Sequence, residues 1–267
     1  MSIKLFVTDL DGTLLPGGQN VSAKNIKAVQ DMVNAGVKFT IATGRMYSAS
    51  VNIAKSLGVD VPIITYNGAL IKTVGGEIIY SNYLEADLIV ELINFCEDRN
   101  WHLQSYSNDI LYYAKHNKFA RDYEEVLNIP EGVEVGWNGL KKLTENVPKL
   151  LSIAETAEES TERIRILKEN FGDRIDAAKS NATYTEITKN GVSKASAIKI
   201  LADKFNIDIS EVMAIGDSYN DLPMLKAAGH SVAMGNATDE VKAACEFITG
   251  DCKSDGFAQA IYKYVGL

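Results

Sequence analysis

Ile3-Lys4-Leu5-Phe6-Val7-Thr8-Asp9-Leu10-Asp11-Gly12-Thr13 begins as an apolar run and ends on two carboxylates and a glycine. Residues 3 to 7 read as a β-strand, because large apolar side chains dominate and turn residues close the run. Working outward, residues 22 to 35 place Ile26, Val29, Met32 and Val33 at helical spacing, with Ser22 as an N-cap and Gly36 where the helix should stop. A second strand spans Val37 to Ala42, a second helix 46 to 57, and a third strand Val61 to Thr65. This βαβα alternation is the pattern of a parallel sheet with helices on its faces.

The rhythm then changes. Gly75-Gly76 sits in a hairpin of Ala69 to Ile71 with Glu77 to Ile79. From Asn82 to Thr188 paired strands appear, Leu103 to Tyr106 and Ile110 to Tyr113 about Ser107-Asn108-Asp109, with helices near 85 to 99 and 158 to 170. After Gly191 the first rhythm returns: helix 193 to 204, strand Val212 to Ile215, helix 219 to 227, strand 231 to 233 and helix 237 to 244. The expected fold is α/β, with a Rossmann-like parallel-sheet core of residues 1–81 and 189–267 and an α+β domain, 82–188, inserted into it.

Composition limits the function. The chain has 267 residues, a formal net charge of −8 and no apolar run near the roughly 20 residues of a bilayer span. Thr8 and Asp9 interrupt the N-terminal apolar stretch before it reaches signal-peptide length, so a cytoplasmic protein is expected. The acidic balance disfavours nucleic acid or an anionic membrane as a partner. Cys96, Cys245 and Cys252 form no CxxC pair and read as incidental thiols. An anionic substrate needs local cations to overcome this charge.

The chemistry-bearing residues gather at the carboxyl ends of strands, where open α/β sheets bind ligands. Asp9 and Asp11, two apart in an extended segment, share a face, and Gly12 lets the chain turn away. Read alone, Asp-Gly after a strand also makes a plain turn. Thr43-Gly44-Arg45 after the second strand offers hydroxyl and N–H groups for a phosphate, or merely a strand-to-helix turn. Lys194, beside Ser193, supplies a cation unless it is simply solvated. Gly216-Asp217-Ser218-Tyr219-Asn220-Asp221 brings two further carboxylates. Together, Asp9, Asp11 and Asp217 suggest a hard-cation site suited to Mg2+, which one or two carboxylates and a substrate phosphate usually hold.

In order and spacing these motifs resemble the haloacid dehalogenase (HAD) superfamily. Asp9-Leu10-Asp11-Gly12-Thr13-Leu14-Leu15, Ala42-Thr43-Gly44-Arg45, Tyr66-Asn67-Gly68-Ala69, Gly191-Val192-Ser193-Lys194, Gly216 to Asp221, Ala233-Met234-Gly235-Asn236-Ala237 and Asp255-Gly256 narrow it to the Cof-type phosphatase branch. The resemblance implies hydrolysis of small phosphomonoesters such as sugar phosphates. Asp9 would be the nucleophile and Asp11 the acid and base. Mg2+ would lie on the carboxylates of Asp9 and Asp217 and the backbone carbonyl of Asp11, with Asp221 behind them. Thr43, Gly44 and Lys194 would hold the phosphoryl oxygens, and Asn220 would help orient phosphate or substrate. It further implies that the insertion is a cap that chooses the leaving group, with Trp101, Tyr106, Tyr123 and Tyr184 among its polar-tipped aromatics.

Two rivals remain from the same motifs. Phosphomannomutase-like relatives share the insertion point, so a mutase is an alternative, and a phosphometabolite sensor on this fold is another. Asp9 with Asp11 argues against the sensor, since binding alone needs neither. Asn67-Gly68 reads as a turn or as part of the active edge, Asn236 as the N-cap of the following helix, and Gly250-Asp251-Cys252-Lys253 as a departure from the branch outside the catalytic set.

Overall fold

The structure is a computed structural model, described for residues 2–17 and 20–266. The chain divides into two compact units, one of residues up to Tyr80 with those from Ser193 onward, the other Ser81–Val192. In chain order the elements are β1 (Leu5–Thr8), α1 (Ala23–Asn34), β2 (Lys38–Ala42), α2 (Tyr47–Ser56), β3 (Pro62–Thr65), β4 (Leu70–Thr73) and β5 (Ile78–Ser81). Then come α3 (Ala86–Asp98), β6 (His102–Ser107), β7 (Ile110–Tyr113), α4 (Lys118–Leu127), β8 (Val133–Glu134), α5 (Gly136–Leu140), β9 (Lys149–Ile153), α6 (Ala157–Phe171), β10 (Ile175–Asn181) and β11 (Tyr184–Lys189). The last group is α7 (Lys194–Lys204), β12 (Val212–Gly216), α8 (Leu222–Ala227), β13 (His230–Ala233), α9 (Asp239–Ala243), β14 (Phe247–Ile248) and α10 (Gly256–Ala260).

The first unit is built on a sheet of order β14-β13-β12-β1-β2-β3-β4-β5. It is parallel from β14 to β3, and β4 turns back antiparallel to β3. β1 is buried on both faces, as strands under helical layers must be. Leu5 and Val7 enter one cluster with Ile198 and Leu201 of α7 and Met224 and Leu225 of α8. Phe6 turns the other way, onto Phe39 and the edge of Phe257 from α10. Each such side chain contributes roughly 1.5–3 kcal/mol on burial, and a one-residue slip would exchange the two faces, so the register is fixed. Thr8 therefore lies beside Ile41 and Ile215, and the chain leaves β1, β2 and β12 at one end of the sheet.

Helix boundaries follow local chemistry. The Ser22 hydroxyl accepts from the Asn25 N–H at 3.1 Å, and Gly36, at φ +91°, follows the end of α1. The expected helix 219–227 is in fact a 3-10 turn, Tyr219–Asp221, followed by α8. Asp221 spends its carboxylate on the N–H groups of Asp217 and Ser218, and a proline occupies the first turn of α8.

The second unit carries a sheet of order β10-β11-β9-β6-β7-β8, antiparallel except for the β7–β8 pair. Leu103, Leu150 and Ile187 pack with Leu88, Leu92 and Ile93 of α3 and Leu167 and Phe171 of α6. Among the described residues no helix is long and apolar enough to cross a membrane. Cys96 and Cys252 are buried, Cys245 is half-buried, and all three are free thiols.

His102 of β6 is 8% exposed, against the rings of Tyr113 and Phe119. Burial pushes its imidazole down to about 4, although Gln104 partly opposes the shift. Unfolded, the ring titrates near 6.5, so between pH 6.5 and 4 the unfolded chain binds the extra proton and stability falls as pH falls. Between pH 7 and 4.5 the wild type should lose about 2 kcal/mol more unfolding free energy than His102→Gln, read from urea melts at both pH values. Parallel losses in the two proteins would show that His102 does not contribute this dependence.

Candidate active site

The three neighbouring strands β12, β1 and β2 deliver their following loops to one edge of the first unit, and α7 brings Lys194 to the same place. Ser193 caps α7 through a capping box with Ser196, which fixes Lys194 at the first helical position. Its Nζ donates to Asp9 Oδ1 at 2.6 Å and to Asp221 Oδ1 at 2.6 Å, and its side chain is wholly buried. An ammonium has three protons, so one remains for another acceptor. Asp9 keeps Oδ2 without a hydrogen bond among the described residues.

Asp9, Asp217 and Asp221 bring carboxylate oxygens within 4.8 Å of one another. Asp221 is saturated: Oδ1 accepts from Lys194, and Oδ2 accepts from the N–H groups of Asp217 and Ser218 at 3.0 and 3.1 Å. It braces the loop, while Asp9 and Asp217 retain open oxygens. Thr13 donates its hydroxyl to Asp217 Oδ1 at 2.9 Å. A Cβ on Gly12, whose φ is +78°, would stand 2.4 Å from Asp217 Oδ2, so only glycine fits.

Electrostatics tests the cluster for a cation. Burial first, then Asp221, raises the Asp9 carboxyl well above its ordinary range against the pull of Lys194. Burial, then Asp221, also raises Asp217 to about 6. Burial works against the Lys194 charge, but Asp221 and Asp9 outweigh it and hold the ammonium protonated. One lysine is thus too little positive charge for three crowded carboxylates. A hard divalent cation with oxygen ligands fits this donor set.

Asp11 is a correction to the expected carboxylate set. Its side chain does not join Asp9 and Asp217 but takes a bidentate pair from Arg45, Nε to Oδ2 at 2.8 Å and Nη2 to Oδ1 at 2.5 Å. The face-sharing rule assumed extended backbone, whereas the chain curls after Asp9, with Thr13 and Leu15 N–H groups both donating to the Leu10 carbonyl. Arg45, absent from the expected set, is 5% exposed. Nothing in the sequence marks it beyond its place after Thr43-Gly44.

Thr43 is buried and accepts from the Arg45 N–H at 3.1 Å. Tyr66 and Asn67, both at positive φ, lie across this loop, donating their N–H groups to the carbonyls of Arg45 and Thr43. A Cβ on Gly44 would meet Asn67 Oδ1 at 2.9 Å, so Asn67-Gly68 belongs to the active edge as well as forming a turn. Asn220 stands next to Asp221, where its side-chain oxygen pairs with the Ser218 hydroxyl; no hydrogen bond joins it to Asp9 or Lys194. Asn236 does not cap the following helix, a role Thr238 takes. It donates instead to the Gly12 carbonyl at 2.8 Å and accepts from the Cys252 N–H at 2.9 Å. The Cys252 loop thereby supports the Asp11 turn from outside.

Comparison with known proteins agrees with this geometry. The haloacid dehalogenase-like hydrolase family matches residues 6–261. The chain is 31% identical to the 5-amino-6-(5-phospho-D-ribitylamino)uracil phosphatase YcsE of Bacillus subtilis, over 99% of this chain and 97% of that one. The structure of TM0651 from Thermotoga maritima superposes with a TM-score of 0.84 at 30% identity, covering 98% of this chain and 97% of the other. The HAD subclass IIB sugar phosphatase BT4131 gives 0.85 at 25% identity, covering 98% and 99%. The chain belongs to the haloacid dehalogenase-like hydrolases, in their Cof-type branch, and is an enzyme of the phosphatase class.

Proposed function

We propose that the chain hydrolyses small cytoplasmic phosphomonoesters, sugar phosphates foremost, in two steps through an aspartyl-phosphate on Asp9. The observation that carries this reading is the meeting of Asp9, Asp217 and Asp221 about the buried Lys194 ammonium. In the first step an Asp9 oxygen attacks phosphorus, the ester P–O bond breaks, and the protonated Asp11 carboxyl gives its proton to the departing oxygen. In the second, Asp11 takes a proton from water, the water oxygen attacks phosphorus, and the bond to Asp9 breaks to release phosphate. Splitting the reaction this way replaces one hard displacement by two easier ones.

Lys194 directs its remaining proton to a phosphoryl oxygen, and the Thr43 hydroxyl and Gly44 N–H bind the others, with Asn220 orienting the group. The carboxylates of Asp9 and Asp217 and the backbone carbonyl of Asp11 would hold Mg2+, which would supply charge neutralisation for the phosphoryl group. Asp221 acts behind them by fixing Lys194. The inserted unit, 82–188 by its sequence rhythm, serves as the cap that selects the leaving group. The names of relatives, a ribitylamino-uracil phosphatase and a sugar phosphatase, both describe polyhydroxylated organic phosphates.

The first test is phosphate release from sugar phosphates, pyridoxal phosphate and flavin mononucleotide, with magnesium and with chelator. Chelation should abolish turnover, and Asp9→Asn should lower kcat by at least about 10³-fold with folding retained, since it removes the nucleophile at nearly constant volume. No release from any ester by the folded, magnesium-loaded protein would turn the reading toward the mutase.

Asp11→Asn discriminates by leaving group. It should slow alkyl phosphates about 10²-fold or more while slowing 4-nitrophenyl phosphate much less, because the phenolate needs little protonation. Equal slowing of both would remove Asp11 from the acid role.

A further inference from the structure

The unit Ser81–Val192 holds a cavity of about 230 Å3, lined by its own residues alone. Both tryptophans of the chain, Trp101 and Trp137, form its walls with Phe119, and all three are half-buried. The Arg163 guanidinium lies 4.9 Å from the Trp101 ring centroid and Phe95 packs edge-on against the same indole, so that wall is held in place. His102, 8% exposed, also lines the cavity. Its Nε2 stands 3.5 Å from Gln104 Oε1, and the Gln104 amide nitrogen donates to the Tyr106 hydroxyl at 2.9 Å, which sets the amide oxygen toward the imidazole. Burial keeps the ring neutral by pushing it down to about 4, so Nε2 carries the proton and Nδ1 the lone pair. Nδ1 has no hydrogen bond among the described residues, yet it is not one of the polar atoms sealed from solvent, so the acceptor is open.

Asn117 supplies the matching donor. Its Oδ1 accepts from the Phe119 and Ala120 N–H groups at 3.0 and 3.4 Å to cap α4, which leaves its NH2 without a hydrogen bond among the described residues. Lys115, exposed, is the one charged side chain of a lining that holds no carboxylate. Aromatic walls, one acceptor, one donor and no acid define a flat guest that is neutral or anionic. A saturated hydrocarbon would leave both polar groups unpaired, and a carboxylate has no proton for Nδ1. We infer that the inserted unit binds a free planar oxo-heterocycle carrying a ring N–H and a ring carbonyl, of the uracil or hypoxanthine type: the ring lies against Trp101, Trp137 and Phe119, its N–H on His102 Nδ1 and its carbonyl on the Asn117 amide. The volume falls below the roughly 300 Å3 at which sites for drug-sized ligands begin, which restricts the guest to one or two rings. None of the residues assigned to nucleophile, acid, metal or phosphate takes part.

Because the chain has only these two tryptophans, their emission under tryptophan-selective excitation reads the cavity directly. Uracil or hypoxanthine titrated into the full chain should give a saturable change in emission with Kd on the order of 0.1–1 mM, ordinary for so small a ligand. 1,3-Dimethyluracil, whose ring nitrogens carry no proton, should bind at least about tenfold more weakly than uracil. His102→Phe keeps a flat ring without the acceptor, so it should weaken uracil at least about tenfold and abolish the preference over the dimethyl compound. Asn117→Asp still caps α4 but has no NH2, and should weaken uracil about tenfold as well. It gives a second arm should phenylalanine fail to pack, with folding of each variant checked by near-ultraviolet circular dichroism. Emission that changes linearly without saturation, equal wild-type affinity for uracil and its dimethyl derivative, or wild-type affinity in either folded variant would each overturn the inference. The readout is binding alone, so a chain that hydrolyses no ester yet binds uracil in this way defeats the phosphatase reading and keeps the site.

Discussion

The buried Lys194 ammonium between Asp9 and Asp221 is the constraint on which the rest of the active edge depends. Its partners lie 185 and 27 residues away in sequence, so the contact exists only when β1 and β12 are neighbours and α7 starts exactly one residue after its cap. Removing an ammonium and two carboxylates from water costs several kcal/mol per ion, and their attraction offsets this only in good geometry with the remaining valences satisfied. The packing of α7 and α8 on Leu5 and Val7 supplies the stability that this arrangement does not. Apolar burial holds the sheet, and the sheet holds the charges.

That separation of duties explains what the sequence made legible. β1, β2, β3 and β12 were readable because strands buried on both faces are nearly continuous apolar runs, and α1 because Ser22 and Gly36 bracket a periodic segment. Lys194 and the carboxylates of Asp9, Asp217 and Asp221 were readable as chemistry at strand ends. The Asp11–Arg45 pair was not, because it depends on a curl of backbone after Asp9 that no spacing encodes. Asn236 misled for a related reason: an asparagine before a helix has the composition of a cap, but its amide reaches a turn 224 residues away. β9 was hidden because it begins with Lys149, which lies buried against the Glu186 carboxylate and the Tyr106 ring.

Charge resolves an apparent conflict in an acidic protein that handles anions. Asp9, Asp11, Asp217 and Asp221 face Lys194 and Arg45, four carboxylates against two cations. The upward shifts of Asp9 and Asp217 express that surplus, since each carboxyl favours its neutral form when crowded and buried. A divalent cation would remove the surplus locally, whatever the net charge of −8 does at longer range, where salt screens it within about 8 to 10 Å. On electrostatic grounds the site thus suits a divalent cation before any reaction is considered.

Asp9 and Asp11 stand two residues apart yet live in different media. Asp9 is buried on an ammonium, and Asp11 is half exposed on a guanidinium. One carboxylate is held still with an oxygen free, and the other is offered to solvent in a fixed orientation, which is the difference the proposed roles of nucleophile and acid require. Gly12 makes the division possible: the turn at positive φ carries Asp11 away while its missing Cβ lets Asp217 close in. The same short turn is tied down by Thr13 on Asp217, by Arg45 on Asp11 and by Asn236 on the Gly12 carbonyl. Three tethers from three separate loops leave it little freedom to reorganise when a ligand arrives. Preorganisation of that kind is where electrostatic catalysis derives its advantage over water, because the dipoles and charges are already aimed before the bond begins to break.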